Sequence, residues 1–264
     1  MRISNIFLIG GLLLSASCNY KSDAKFFDLS PKEGKGPLQT KNFNFDFDEI
    51  KVSQSIRADI KKADHEKVVI EAPADLMDDI LVEQIGSTVH IHYKPGIRVT
   101  GSRVKATIFA KDFTKVEANS SAQIRILDKF TQDKTNVKVS SSGSVTGDLE
   151  ANELVIDGSS SGSYSGKIWA VDFDVDVSSS ADVEVSGKAK NVDLDASSSG
   201  SVIAKNLHAE NGVLNASSSG FVNVSLSNEL RAKSSSSGSI EVIKIGNLNV
   251  VQETKSSSGT ITVR

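Results

Sequence analysis

Three groups of residues in this 264-residue chain have the types and spacing that chemistry requires. His90 and His92 are alternate residues, so a strand would set both imidazoles on one face, as some metal sites do. No cysteine accompanies them, and they read as the polar outer face of an edge strand. Asp157, Asp176 and Asp195 recur at intervals of 19 and 19, with Asp174 and Asp193 in a neighbouring column, Lys138 below the run, and Asn215 and then Lys233 above it. Carboxylates stacked at the strand spacing of about 4.8 Å repel, so this column is either solvated or shared with a cation or a cationic partner. Calcium prefers six to eight oxygens and a flat column supplies few, so any metal site there is weak. The third group is Ser120, Ser141, Ser160, Ser179, Ser198, Ser218, Ser236 and Ser257, each two residues before a Gly or Ala. With His65 and His208 outside any nucleophile-elbow pattern, these serines do not make a Ser-His-Asp hydrolase. The sequence points to no catalytic residue and no cofactor.

The elements that hold these side chains come from a repeat. Ser-Ser-Ser-Gly or its Ala variant ends at Ala122, Gly143, Gly162, Ala181, Gly200, Gly220, Gly238 and Gly259, with spacings of 21, 19, 19, 19, 20, 18 and 21. Two residues later stand Ile124, Val145, Tyr164, Val183, Val202, Val222, Ile240 and Ile261, and six earlier stand Val116, Val137, Ile156, Val175, Leu194, Leu214 and Ala232. Period-two apolar flanks of this kind rule out a serine linker, and the leucine-rich pattern is missing. Coils of about 19–20 residues then stack as an all-β parallel β-solenoid. Continuing the alternation turns the eight serines inward, as a hydrogen-bonded ladder at a corner where only small residues fit. The rival reading is an outward hydroxylated face for sugar or ice. Residues 41–116 lack the serine motif but keep strand alternation, and read as irregular first coils with a cap. Residues 117–264 are the repeat coils of the same single domain.

Composition limits the partners. With 30 Lys and Arg against 33 Asp and Glu, the net charge of -3 offers no basic excess for nucleic acid. A single cysteine excludes disulfide scaffolds.

Residues 1–17 carry Arg2, an apolar run from Ile6 to Leu14 and the small residues Ser15-Ala16-Ser17, which together read as a signal peptide. Cys18 follows directly and resembles a lipobox cysteine, although Ser15 replaces the usual Leu. Lipid on Cys18 would anchor the protein to a membrane, with residues 18–40 as a flexible tether. This leader, Phe47-Asp48-Glu49-Ile50, the strands around Val69-Ile70 and Val89-His90-Ile91, and the Ser-Ser-Ser-Gly coils resemble the head GIN domain family of auto-transporter adhesins among bacterial envelope lipoproteins. The resemblance implies a right-handed parallel β-helix, a cell-envelope location at the outer membrane, and an adhesin label without assigned catalytic residues. Two functions follow: a non-enzymatic adhesin or scaffold presenting a β face to glycan or protein, or a polysaccharide-active β-helix enzyme. The near-uniform coil lengths favour the first. The sequence does not fix the oligomeric state.

Overall fold

A computed structural model describes residues 31–100 and 103–264. The expected signal peptide and Cys18 lie outside them. The elements are β1 (Leu38–Phe43), β2 (Glu49–Val52), β3 (Arg57–Lys62), β4 (Lys67–Pro73), α1 (Ala74–Met77), β5 (Ile80–Ile85), β6 (Thr88–Tyr93), β7 (Lys105–Ala110), β8 (Lys115–Ala118), β9 (Gln123–Ile126), β10 (Thr131–Val139), β11 (Ser144–Thr146), β12 (Leu149–Gly158), β13 (Ser163–Val177), β14 (Asp182–Ala196), β15 (Ser201–Ala216), β16 (Phe221–Ser234), β17 (Ser239–Lys244), β18 (Asn249–Lys255) and β19 (Thr260–Val263).

From β8 onward the chain is the expected parallel solenoid. Val145 pairs with Ile124 on one side and Tyr164 on the other, and Ile156 pairs with Val137 and Val175. Every apolar column read from the repeat is buried, because period-two alternation within a strand sends those side chains to one face. The columns are not uniform, and close packing makes neighbouring coils compensate. Tyr164 replaces the usual Val or Ile, and its hydroxyl donates to the Gly147 carbonyl at 2.9 Å, in space that Gly166 leaves free of side chain. Where Ala181 replaces the motif glycine, the residue beneath it is Gly158, whose added Cβ would stand 3.1 Å from the Ala181 methyl.

The first coils follow a different route. Ile50 pairs with Val89 on one side and Val116 on the other, and Ala58 pairs with Ala106 and Ile124. The β2–β3 coil is therefore sandwiched between the β6–β7 coil and the β8–β9 coil. The chain leaves it to build β4, α1 and β5, returns as β6 and β7, then passes it again. Phe113, fully buried and 4.9 Å from Phe130 between ring centres, sits in that passing link. The cap is antiparallel: β4 pairs with β7 and β1, and β5 pairs with β6. Buried Leu76 and Met77 of α1 close the end of the core.

Two expectations about boundaries change here. The segment assigned to a tether through residue 40 joins the cap: Lys32 bridges to Val99, and Leu38 pairs with Pro73. The β6 strand carrying His90 and His92 is paired on both sides, so it is not an edge. At the other end, the last coil puts Glu253 and Lys255 where earlier coils have inward Val, Ala or Leu, ion-paired at 2.5 Å. Inward-pointing charge blunts an open sheet edge against further stacking.

Candidate functional site

The serine motif forms a turn, and its hydroxyls face out. In the coil ending at Gly143, the Gly143 N–H donates to the Ser140 carbonyl at 2.8 Å, while Ser141 and Ser142 hold φ of 50° and 62°. Both central residues of this turn are left-handed, as in a type I′ turn. All eight serines expected to point inward (Ser120, Ser141, Ser160, Ser179, Ser198, Ser218, Ser236 and Ser257) are exposed, and so are the serines that follow them. The inward assignment fails because strand alternation does not continue through a turn. The stacked ladder at this corner is made by the main chain: Ser142 N–H donates to the Ser160 carbonyl at 3.0 Å, Ser161 to Ser179 at 3.1 Å, and Ser219 to Ser236 at 3.1 Å. Gln54 and Ser55, with φ of 61° and 60°, extend the same turn into the β2–β3 coil, where the sequence shows no serine triplet.

A side-chain ladder does run up another corner, built from asparagine. Asn228 donates to Asn211 at 2.7 Å, Asn211 to Asn191 at 2.9 Å, and Asn191 to the Asp172 carboxylate at 2.8 Å. The interval of about one coil between these residues was the signal that could have revealed it.

Asp157, Asp176 and Asp195 are in register, as are Asp174 and Asp193. Burial, then the charges of Asp195 and Asp157, raises the Asp176 pKa. Burial also raises Asp174 and Asp193, with neighbouring carboxylates adding to it. Among the described residues, no group of three or more His, Cys, Asp or Glu is placed to hold a metal ion. The column is a charged face, and as a cation site it lacks converging ligands.

His90 and His92 stack at 4.1 Å between ring centres. His90 Nε2 lies 2.9 Å from Ser53 Oγ, and His92 lies 3.0 Å from Glu83 Oε2 and 2.9 Å from the Tyr93 carbonyl. Burial, reinforced by His92 and Lys51, pushes the His90 pKa down to about 4. A neutral imidazole satisfied by neighbouring side chains is structural.

Trp169, the only tryptophan, is 45% exposed on β13, an outward position that sequence reading passed over. Its strand neighbours are Glu150 and Lys188. Three open depressions of about 630, 560 and 450 Å³ border its ring. In the second, Lys129, Asp148, Glu150 and Lys167 form a charged rim with Leu127, 48% exposed, on the wall. Lys129 and Glu150 pair at 2.5 Å. An aromatic face ringed by donors and acceptors suits a ligand with one apolar and one polar aspect.

The family model described as "Putative auto-transporter adhesin, head GIN domain" matches residues 46–168 and 154–245. The chain belongs to this family. A putative adhesin from Parabacteroides distasonis superposes with a TM-score of 0.77 at 20% identity, covering 89% of this chain and 100% of that one. A putative adhesin from Parabacteroides merdae gives 0.73 at 17%, covering 88% and 98%. A protein from Parabacteroides distasonis described as a putative lipid binding protein gives 0.68 at 18%, covering 89% and 100%. Similarity at these identities speaks to a shared fold. No curated protein matches the chain.

Proposed function

We propose that this head GIN protein is a non-enzymatic cell-envelope lipoprotein, held at the outer membrane through Cys18, that presents its lateral β face to a glycan. Exposed Trp169 carries the reading. An indole in the open, beside exposed Leu127 and among charged side chains, offers a flat apolar platform, and the carboxylates and ammonium groups around it can meet sugar hydroxyls. A peptide fits this place less well. The β13 strand is paired along both edges, so an extended chain could not add to it through main-chain hydrogen bonds.

A glycan array probed with the full chain and with Trp169→Ala tests this. The expected result is a selective set of glycans bound by the native chain and lost, by about tenfold or more in affinity, in the variant. Capture of protein ligands with no glycan bound would overturn the glycan reading. Binding that survives Trp169→Ala would move the contact elsewhere.

A further inference from the structure

A second depression, of about 370 Å³, lies in the first coils and is lined by Arg57, Asp59, Arg103, Lys105, Gln123 and Arg125. Asp59, only 4% exposed, is the single carboxylate among four cations. Arg125 meets it with two parallel hydrogen bonds, Nε to Oδ1 at 2.8 Å and Nη2 to Oδ2 at 2.9 Å, and Lys105 Nζ stands 3.0 Å from Oδ2. The buried carboxylate thus fixes two cations in place without neutralising the cluster. Arg57 pairs across the sheet with Lys105 on one side and Gln123 on the other, and forms no ion pair among the described residues. Arg103 donates to the Gly34 carbonyl at 3.3 Å. A local surplus of positive charge in a chain of net charge -3 is repulsive at strand spacing. Folding alone does not account for it.

We propose that this cluster binds a phosphate group. Guanidinium forks match phosphate oxygens bidentately, and Lys105 adds a point charge to the same depression. The Arg103–Gly34 contact sets the cluster beside the segment that continues toward Cys18, which makes a phospholipid headgroup one source of the phosphate and free inorganic phosphate the other. The site is distinct from the Trp169 platform and stands or falls without it.

Calorimetric titration of the full chain with inorganic phosphate, and separately with monomeric dibutyrylphosphatidylglycerol, tests the assignment. Saturable binding should weaken about tenfold in Arg57→Gln, as expected on losing a charge-assisted contact. Because Arg57 is exposed, forms no ion pair among the described residues and adds to a repulsive cluster, that variant should melt no lower than the native chain. Arg231→Gln, an arginine remote from the cluster, should bind as the native chain does. Tighter binding of the phospholipid supports a headgroup source, and equal binding supports phosphate alone. Failure of both probes to bind, or equal losses in the two variants, would overturn the proposal.

Discussion

The first coils and the repeat coils share one sheet but hold together differently. Between β2 and β9, large aliphatic and aromatic side chains pack around a strand that the chain passes twice, and buried polar groups such as Asp59 are tied by specific partners. From β10 onward each coil pairs only with its sequence neighbours, in constant register from β12 to β14 and with local shifts from β14 onward, and adjacent coils compensate for one another's side-chain size. A one-dimensional stack tolerates local change, whereas an interleaved cap concentrates its stability in a few residues. Both candidate contacts lie where the pattern departs from itself: Trp169 breaks a charged column, and the Arg57 cluster sits where coil order and chain order diverge.

The largest expected effect tests the interleaved region. Phe113→Ala should cost about 3–5 kcal/mol, as for other buried phenylalanines, since no neighbour can fill the space around Phe130. Deleting residues 182–200, one coil, should leave a folded, shorter solenoid with a cooperative melt. Circular dichroism and thermal unfolding of both variants check the contrast, and it breaks if the deletion unfolds and the point variant does not.

Acid should separate the regions next. His90 has its pKa depressed to about 4, so its contribution is full above its ordinary value near 6.5 and is lost as pH falls toward 4. Asp59 feels burial first, which raises its pKa, but hydrogen bonds from Arg125 and Lys105 outweigh this and lower it, extending the loss to lower pH. Asp174, Asp176 and Asp193 have raised pKa values, so their contribution is fully present below the unfolded value and fades as pH rises. Hydrogen exchange, corrected for intrinsic rate, should therefore show protection falling in β6 between pH 7 and pH 4, and in β3 only at lower pH, while β13 and β14 hold.

A smaller effect concerns the turns. Ser198 has φ of 49°, and Ser198→Gly should stabilise by about 0.5–1 kcal/mol because glycine adopts that conformation without strain. Ser198→Leu and Ser199→Leu should melt alike, since both side chains are exposed. The smallest effect is expected for Asp176→Asn, a gain within about 0.5 kcal/mol at neutral pH from removing the central like charge. Thermal melts of the four variants rank these effects.

The sequence made the repeat coils legible because each coil follows the next at an interval of about one motif and stacks mostly in register, so that columns such as Ile156 over Val137 appear as periodicity. It misplaced the serines because their turn breaks the alternation on which the inward reading depended. The order of the first coils could not be read, since Ile50 neighbours Val89 and Val116 in space, far along the chain from both. Trp169 went unread because its exposure depends on which face β13 turns outward, and the Arg57 cluster exists only through pairing between distant strands.

The central functional claim rests on Trp169, and its fluorescence reports on that residue alone because the chain has one tryptophan. Titrating the full chain with a glycan that it binds on the array should shift the indole emission to shorter wavelength, saturating with the same affinity that calorimetry gives. Glycan binding by calorimetry with an unmoved indole spectrum would contradict the account.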